Sequence, residues 1–307
     1  MKNNNRFQIL ALSMGNMRGK IYLTIFLLSV IITNSFSQIG SEIILFDVKV
    51  KKGQVILSNP KNITNRKGYD NQPSFHRSKP LIYYSSFNDD GRADIKVYNY
   101  KTGETKALTQ TQEREYSPTL TPDGNFISCI IQRDNDAQDL GKYPTNGGTP
   151  TTLIDNLKVG YHAWIDADRL LLFVLGDPMT LHLYNIQTKE DKVVANHIGR
   201  SLHRIPNKKS MSFIKKTTDT QWSVMQLDTE TLTITKIIDC LPAHEDICWT
   251  TDGRILTSDG TKIYSVNPAK EKGWSEVTLS TGSEFLKGVT RLAINQKGDK
   301  LAVVITE

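Results

Sequence analysis

Beyond residue 40 the apolar positions come in short bursts, each closed by Gly, Asn, Asp or Pro. "FISCII" (126–131) and "LLLFVL" (170–175) are nearly continuous hydrocarbon, whereas "DIKVYNY" (94–100) and "LHLYNI" (181–186) mix apolar and polar positions. Short runs bounded by turn residues predict β-strands, and the unalternating ones predict strands buried on both faces. Nowhere in residues 38–307 do apolar residues keep the spacing of an amphipathic helix.

The bursts repeat. "NQPSFHRSKPLIYYSS" (71–86), "YSPTLTPDGNFISCII" (116–131), "GYHAWIDADRLLLFVL" (160–175), "SLHRIPNKKSMSFIKK" (201–216), "EDICWTTDGRILTSDG" (245–260) and "TRLAINQKGDKLAVVI" (290–305) share one form. Each is a short strand, a turn and a second apolar strand. Their anchors Phe75, Leu120, Trp164, Ile205, Trp249 and Ile294 are 45, 44, 41, 44 and 45 residues apart. Asp123-Gly124 and Asp252-Gly253 supply the positive φ that tight hairpins demand. Third and fourth strands follow, as in "ADIKVYNYKTGETKALT" (93–109) and "WSVMQLDTETLTITKII" (222–238). Strand, turn, strand at this period is the four-stranded antiparallel blade of a β-propeller.

Five units are complete, and the sixth stops after two strands at "LAVVITE" (301–307). The two missing strands stand at the other end, in "EIILFDVKV" (42–50) and "QVILSN" (54–59), joined by a Lys-Lys-Gly turn. The expected fold is therefore an all-β, six-bladed β-propeller. Its N-terminal strands complete the C-terminal blade, which leaves no open edge at the seam.

The segment ahead of the repeats has a different character. Arg18 and Lys20 precede the apolar run "IYLTIFLLSVII" (21–32), and "TNSFSQ" places Ser35 and Ser37 ahead of a cut before Gln38. A basic flank, a short apolar core and a small-residue exit predict a secretory signal peptide over 1–37, with the propeller over 38–307. The run is shorter than the roughly 20 residues of a spanning helix, so the mature chain is expected to carry no membrane span. An uncleaved anchor is the alternative, and no Cys near the exit suggests a lipid attachment. Met1, Met14 and Met17 are all candidate starts. The expected location is periplasmic or secreted.

Removing that segment changes the charge. The chain carries 38 basic and 32 acidic side chains, a net charge of +6. Lys2, Arg6, Arg18 and Lys20 leave with residues 1–37, which hold no acidic residue, so the mature excess is +2. The case for nucleic acid goes with it. Cys129 reads as a buried small hydrophobe, while Cys240 and Cys248 fall on outer and inner strands, too far apart to pair. A monomer is expected.

The motifs "DNQPSF", "YSPTLTPDG", "WTTDGR" and "VYNYKTGETKALT" resemble those of the TolB-like, WD-repeat-like propellers, over nearly all of the chain from about residue 42. The resemblance implies the fold and is weak as to function, because such blades carry many roles. It does not extend to the α/β domain that precedes the propeller in TolB itself, so a stand-alone propeller is expected. Similar blades also precede the hydrolase domain of prolyl-oligopeptidase-type peptidases. The nearest thing to a nucleophile elbow here is "GRSLH" (199–203), which lacks the final Gly.

In such a ring, the loops entering the innermost strands gather on one face, here called upper. They bring Asp70, Glu115, Tyr161, His162, His203, Glu245, Asp246 and Arg291 to the mouth of the central channel as ligand-binding candidates. Aligning repeats three and four puts His162 and His203 on one rung, where the other blades have Pro73, Pro118, Ile247 and Leu292. Three readings follow. The imidazoles bond neighbouring blades, or contact a polar ligand, or hold a divalent cation together with Glu115. The primary expectation is a non-catalytic propeller without cofactor, binding an envelope protein, peptide or glycan. The alternative is a metal-assisted lyase or hydrolase. Some propeller lyases acting on oligogalacturonate use channel histidines around a metal; a lyase of that kind would take His162 or His203 as base and Arg291 as carboxylate clamp, assignments that rest on position alone. Two other signals fail. "DNDAQD" (134–139) imitates a calcium loop but has Asp139 and Thr145 where Gly and Glu are required. "HED" (244–246) has no second His on a helix.

Overall fold

The computed structural model describes residues 40–307; the signal-peptide reading lies outside them. Five antiparallel sheets follow one another along the chain, and a sixth joins its two ends. Blade I comprises Asp70–Phe75, Leu81–Phe87, Ala93–Asn99 and Thr105–Ala107, and blade II comprises Arg114–Leu120, Phe126–Gln132, Gln138–Pro144 and Thr151–Ile154. Blade III is Val159–Trp164, Arg169–Val174, Thr180–Asn185 and Asp191–Asn196. Blade IV is His203–Arg204, Ser210–Lys216, Trp222–Asp228 and Ile234–Asp239. Blade V is Ile247–Trp249, Ile255–Ser258, Ile263–Val266 and Ser275–Glu276. Contacts between inner strands run I–II–III–IV–V–VI and back to I, so the ring is closed.

Blade VI is built from both chain ends. Arg291–Ile294 and Lys300–Thr306 are joined by Ser41–Lys51 and Gln54–Asn62, with Ile43 opposite Val304 and Phe46 opposite Leu301. One feature was not anticipated. Just past Ser275–Glu276, the last strand of blade V, Thr278–Leu279 leaves that blade and pairs in parallel with Ile56 and Leu57 on the outer edge of blade VI. Blade VI is thus five-stranded, and the seam is fastened at its outer edge as well as its inner strands.

The unalternating strands find their reason in the interfaces. Six hydrophobic clusters fill the six gaps between blades. Leu170, Leu172 and Val174 face blade II, while Leu171 and Phe173 face blade IV. A strand buried on both faces takes a polar side chain only where a partner satisfies it, and each such Leu or Phe stabilises the fold by about 1.5–3 kcal/mol. Two polar staples cross the same gaps. Trp164 Nε1 donates to Ser128 Oγ of blade II, and Trp249 Nε1 donates to Ser212 Oγ of blade IV, each at 2.9 Å. The Asp-Gly hairpins adopt the expected positive φ, 75° at Gly124 and 81° at Gly253. Among the described residues the only helical piece is the 3-10 turn Ser283–Phe285, and no helix is long and apolar enough to cross a membrane. Cys129, Cys240 and Cys248 are all free.

Candidate functional site

The inner strands enclose a channel of about 450 Å³, lined by Gln72, Ser117, Tyr161, Asp246 and Arg291 near the upper face and by His162 and His203 one rung below. Of the sequence candidates, Tyr161, His162, His203, Asp246 and Arg291 all line this cavity, and Arg200 joins them. Phe75, Leu120, Trp164, Trp249 and Ile294, five of the six anchors of the repeat, form part of its wall further down.

Asp70 and Glu115 depart from expectation. Neither lines the channel; both are fully buried away from it. Asp70 pairs with Arg66, whose Nε lies 2.9 Å from Oδ2 and whose Nη2 donates to Oδ1 at 3.1 Å, and burial nonetheless raises its carboxyl above the usual range. Glu115 accepts Thr111 Oγ1 at 2.5 Å, Thr109 Oγ1 at 3.2 Å and Tyr143 Oη at 2.9 Å. Burial, aided by the nearby Asp94 carboxylate, pushes its pKa up to about 7. The cause of both departures is a bulge. The strand pairing slips between Asn71 and Ser74 and again between Tyr116 and Thr119, and Gln72 and Ser117 take left-handed φ of 58° and 55°. One extra residue reverses which face every preceding side chain takes. Glu245 stands beside the mouth, where it accepts Lys216 Nζ and the Arg200 amide, each at 3.0 Å.

The two histidines are tied to neighbouring blades. His162 Nε2 lies 2.7 Å from Ser128 Oγ, the same hydroxyl that receives Trp164. Burial lowers its pKa to about 3, so the ring is neutral. His203 Nε2 lies 2.9 Å from Ser201 Oγ, which accepts the Ile247 amide of blade V at 3.2 Å, and burial lowers its pKa to about 4. Arg291 and Asp246 carry the charge at the mouth. Arg291 Nη1 lies 3.8 Å from Asp246 Oδ2, and Asp246 Oδ1 accepts the Leu292 amide at 2.8 Å. Burial raises the Asp246 pKa against the pull of Arg291 and Arg200. Among the described residues no three His, Cys, Asp or Glu side chains converge as a metal-binding group. The imitation calcium loop is accounted for, since Asp134 pairs with Arg92 at 2.7 Å and Arg114 at 3.1 Å.

Sequence reasoning missed Ser128 and Ser212 as staples. Their signal was a small polar residue inside an otherwise buried second strand, 36 and 37 residues ahead of a Trp.

No family model and no curated protein matches the chain. Solved structures do. A putative TolB from Agrobacterium tumefaciens aligns with a TM-score of 0.68 at 11% identity, covering 88% of this chain and 99% of that one. The chain has a TolB-like propeller fold. TolB from Acinetobacter baumannii aligns at 0.54 and 11% identity, covering 86% of this chain but 63% of that chain. An oligogalacturonate lyase in complex with manganese aligns at 0.56 and 14% identity, covering 83% of each chain. Identities this low establish the fold of the TolB-like propeller, and its function has to be argued from the channel mouth.

Proposed function

We propose that this TolB-like propeller is an exported, non-catalytic binding protein whose channel mouth takes an envelope protein, peptide or glycan. The observation that supports the reading is a set of buried polar atoms without partners. Ser117 Oγ, His162 Nδ1 and Arg200 Nε belong to cavity-lining residues, and Thr290 Oγ1 belongs to the residue preceding Arg291. They come from blades II and III and from the loops entering IV and VI. Buried polar groups are nearly always bonded, and leaving one unpaired costs about 1–3 kcal/mol, so three on residues lining one cavity, with a fourth beside Arg291, suit a site that a ligand completes. The test is a thermal-shift screen of the mature protein against envelope glycans and peptides, with Arg200→Gln as control. Ligands of the mouth raise the melting temperature of the parent more than that of the variant. Export is tested by sequencing the N-terminus of protein recovered from cells, which is expected to begin at Gln38.

The likeness to a manganese-complexed lyase favours a second reading, in which His162, His203 and Glu115 hold a divalent cation. These residues do not fit that role as placed. The His162 and His203 Nε2 atoms are each bonded to a serine, and Glu115 is directed away from the channel. No step is therefore assigned through a metal. Elemental analysis of the parent beside a His162→Ala/His203→Ala variant decides it: stoichiometric metal lost from the variant would restore the lyase reading.

A further inference from the structure

Blades III and VI stand opposite each other in the ring, yet Arg291 Nη2 of blade VI donates to Tyr161 Oη of blade III at 2.8 Å. The guanidinium carbon sits 5.2 Å from the Tyr161 ring centre. Arg200, ahead of the inner strand of blade IV, reaches past blade V, and its Nη2 donates to the Thr290 carbonyl at 3.3 Å. Two arginines thus lie across the channel mouth.

Their partners are weak ones for guanidinium groups. A phenol and a long backbone bond are neutral acceptors, whereas a carboxylate brings the opposite charge and two oxygens that match the guanidinium fork. The acidic groups nearby are already engaged. Asp246 is 3.8 Å from Arg291 and spends its other oxygen on the Leu292 amide. Glu245 is 3.8 Å from Arg200 Nε and already accepts Lys216 and the Arg200 amide. Arg200 Nε, Thr290 Oγ1 and Ser117 Oγ are buried without partners. Arg200 and Arg291 against Asp246 leave the lining of the mouth one positive charge in excess.

We propose that the mouth is a receptor for the carboxylate of a small organic acid, gripped between Arg200 and Arg291 on the axis of the ring, with Tyr161 as a latch that releases Arg291 when the acid seats. This rests on the reading that ligands bind at the upper face, and it adds their chemical class. The rest of the acid occupies the channel below, whose wall mixes His162 and His203 with Phe75 and Leu120. A sugar acid and the C-terminus of a short peptide share the required group.

The test uses melting temperature and isothermal titration at constant ionic strength. Glucuronate is compared with glucose, and triglycine with triglycinamide. The expected result is that at least one acid binds the parent and its neutral analogue does not. Arg200→Gln and Arg291→Gln each weaken that binding by roughly ten-fold or more, the loss of a charge-assisted hydrogen bond. Tyr161→Phe, which keeps the ring and removes the competing hydroxyl, tightens it by roughly three- to ten-fold. A tyrosine that merely packs would leave the affinity unchanged. Equal binding of acids and neutral analogues would overturn the carboxylate inference and leave the upper-face reading standing. Weaker binding by Tyr161→Phe would make Tyr161 a ligand contact and remove the latch. No response of the parent to either acid would overturn the proposal.

Discussion

Replacing Glu115 by Gln tests the electrostatics of the blade I–II interface. The carboxyl is fully buried, and the Thr109 hydroxyl that reaches it at 3.2 Å also stands 3.3 Å from Asp94 Oδ1. Burial, opposed by the Thr111 and Tyr143 hydroxyls and reinforced by Asp94, moves the pKa from 4.5 to about 7. The folded-state value is raised, so the folded protein holds its proton more tightly than the unfolded chain does. Below pH 4.5 both states are protonated and the interface contributes its full stability. Between 4.5 and about 7 the unfolded chain ionises first and stability falls; above 7 the loss is complete. At about 1.4 kcal/mol per pH unit of displacement, the gap amounts to roughly 3 kcal/mol.

Gln has nearly the same shape, keeps a carbonyl to accept Thr111 and Tyr143, and stays neutral. Glu115→Gln should therefore match the parent near pH 4 and exceed it by roughly 3 kcal/mol at pH 8. Urea midpoints of parent and variant at pH 4, 5.5, 7 and 8.5 measure the difference. Titrating groups that do not interact with Glu115, His162 and His203 included, are common to both proteins and cancel. Parallel curves, or a gap that opens toward acid, would refute the reasoning.

Three further outcomes are expected. Ser128→Ala strands both Trp164 Nε1 and His162, whereas Ser212→Ala strands only Trp249 Nε1. The first should cost about 2–4 kcal/mol and the second about 1–2 kcal/mol by urea denaturation, and equal costs would contradict the double role of Ser128. Phe46 is fully buried in the closing blade. Phe46→Ala should lose about 3–5 kcal/mol and open the seam to proteolysis, and a loss under about 1 kcal/mol would count against closure as a main source of stability. His162 is held neutral, with a pKa of about 3 against 6.5, so the unfolded chain takes up a proton first as pH falls below 6.5. His162→Leu, which copies Leu292 on the same rung, should flatten the decline in melting temperature between pH 6.5 and 4. An unchanged slope would mean that His162 is not held neutral.

The ring and its closure were legible because they rest on spacing. Anchors recurring every 41 to 45 residues and one incomplete repeat at each end leave few other ways to pair the strands. The parallel strand Thr278–Leu279 was not legible, since two residues carry no periodicity and their pairing depends on how far the hairpin of Ser41–Lys51 and Gln54–Asn62 extends. The site divides along the same line. Tyr161, Asp246 and Arg291 each stand three residues before an anchor, in or just ahead of strands whose pairing then runs without slippage, and all three line the channel. Asp70 and Glu115 stand five before theirs, on the far side of a bulge, and both turn into a blade interface. Counting back from an anchor therefore locates a channel residue only while alternation holds. Gln72 and Ser117, which break it, lie at the mouth themselves: their left-handed backbones turn two acidic side chains away from the cavity, and the positive charge of Arg200 and Arg291 there is left opposed by Asp246 among the lining residues.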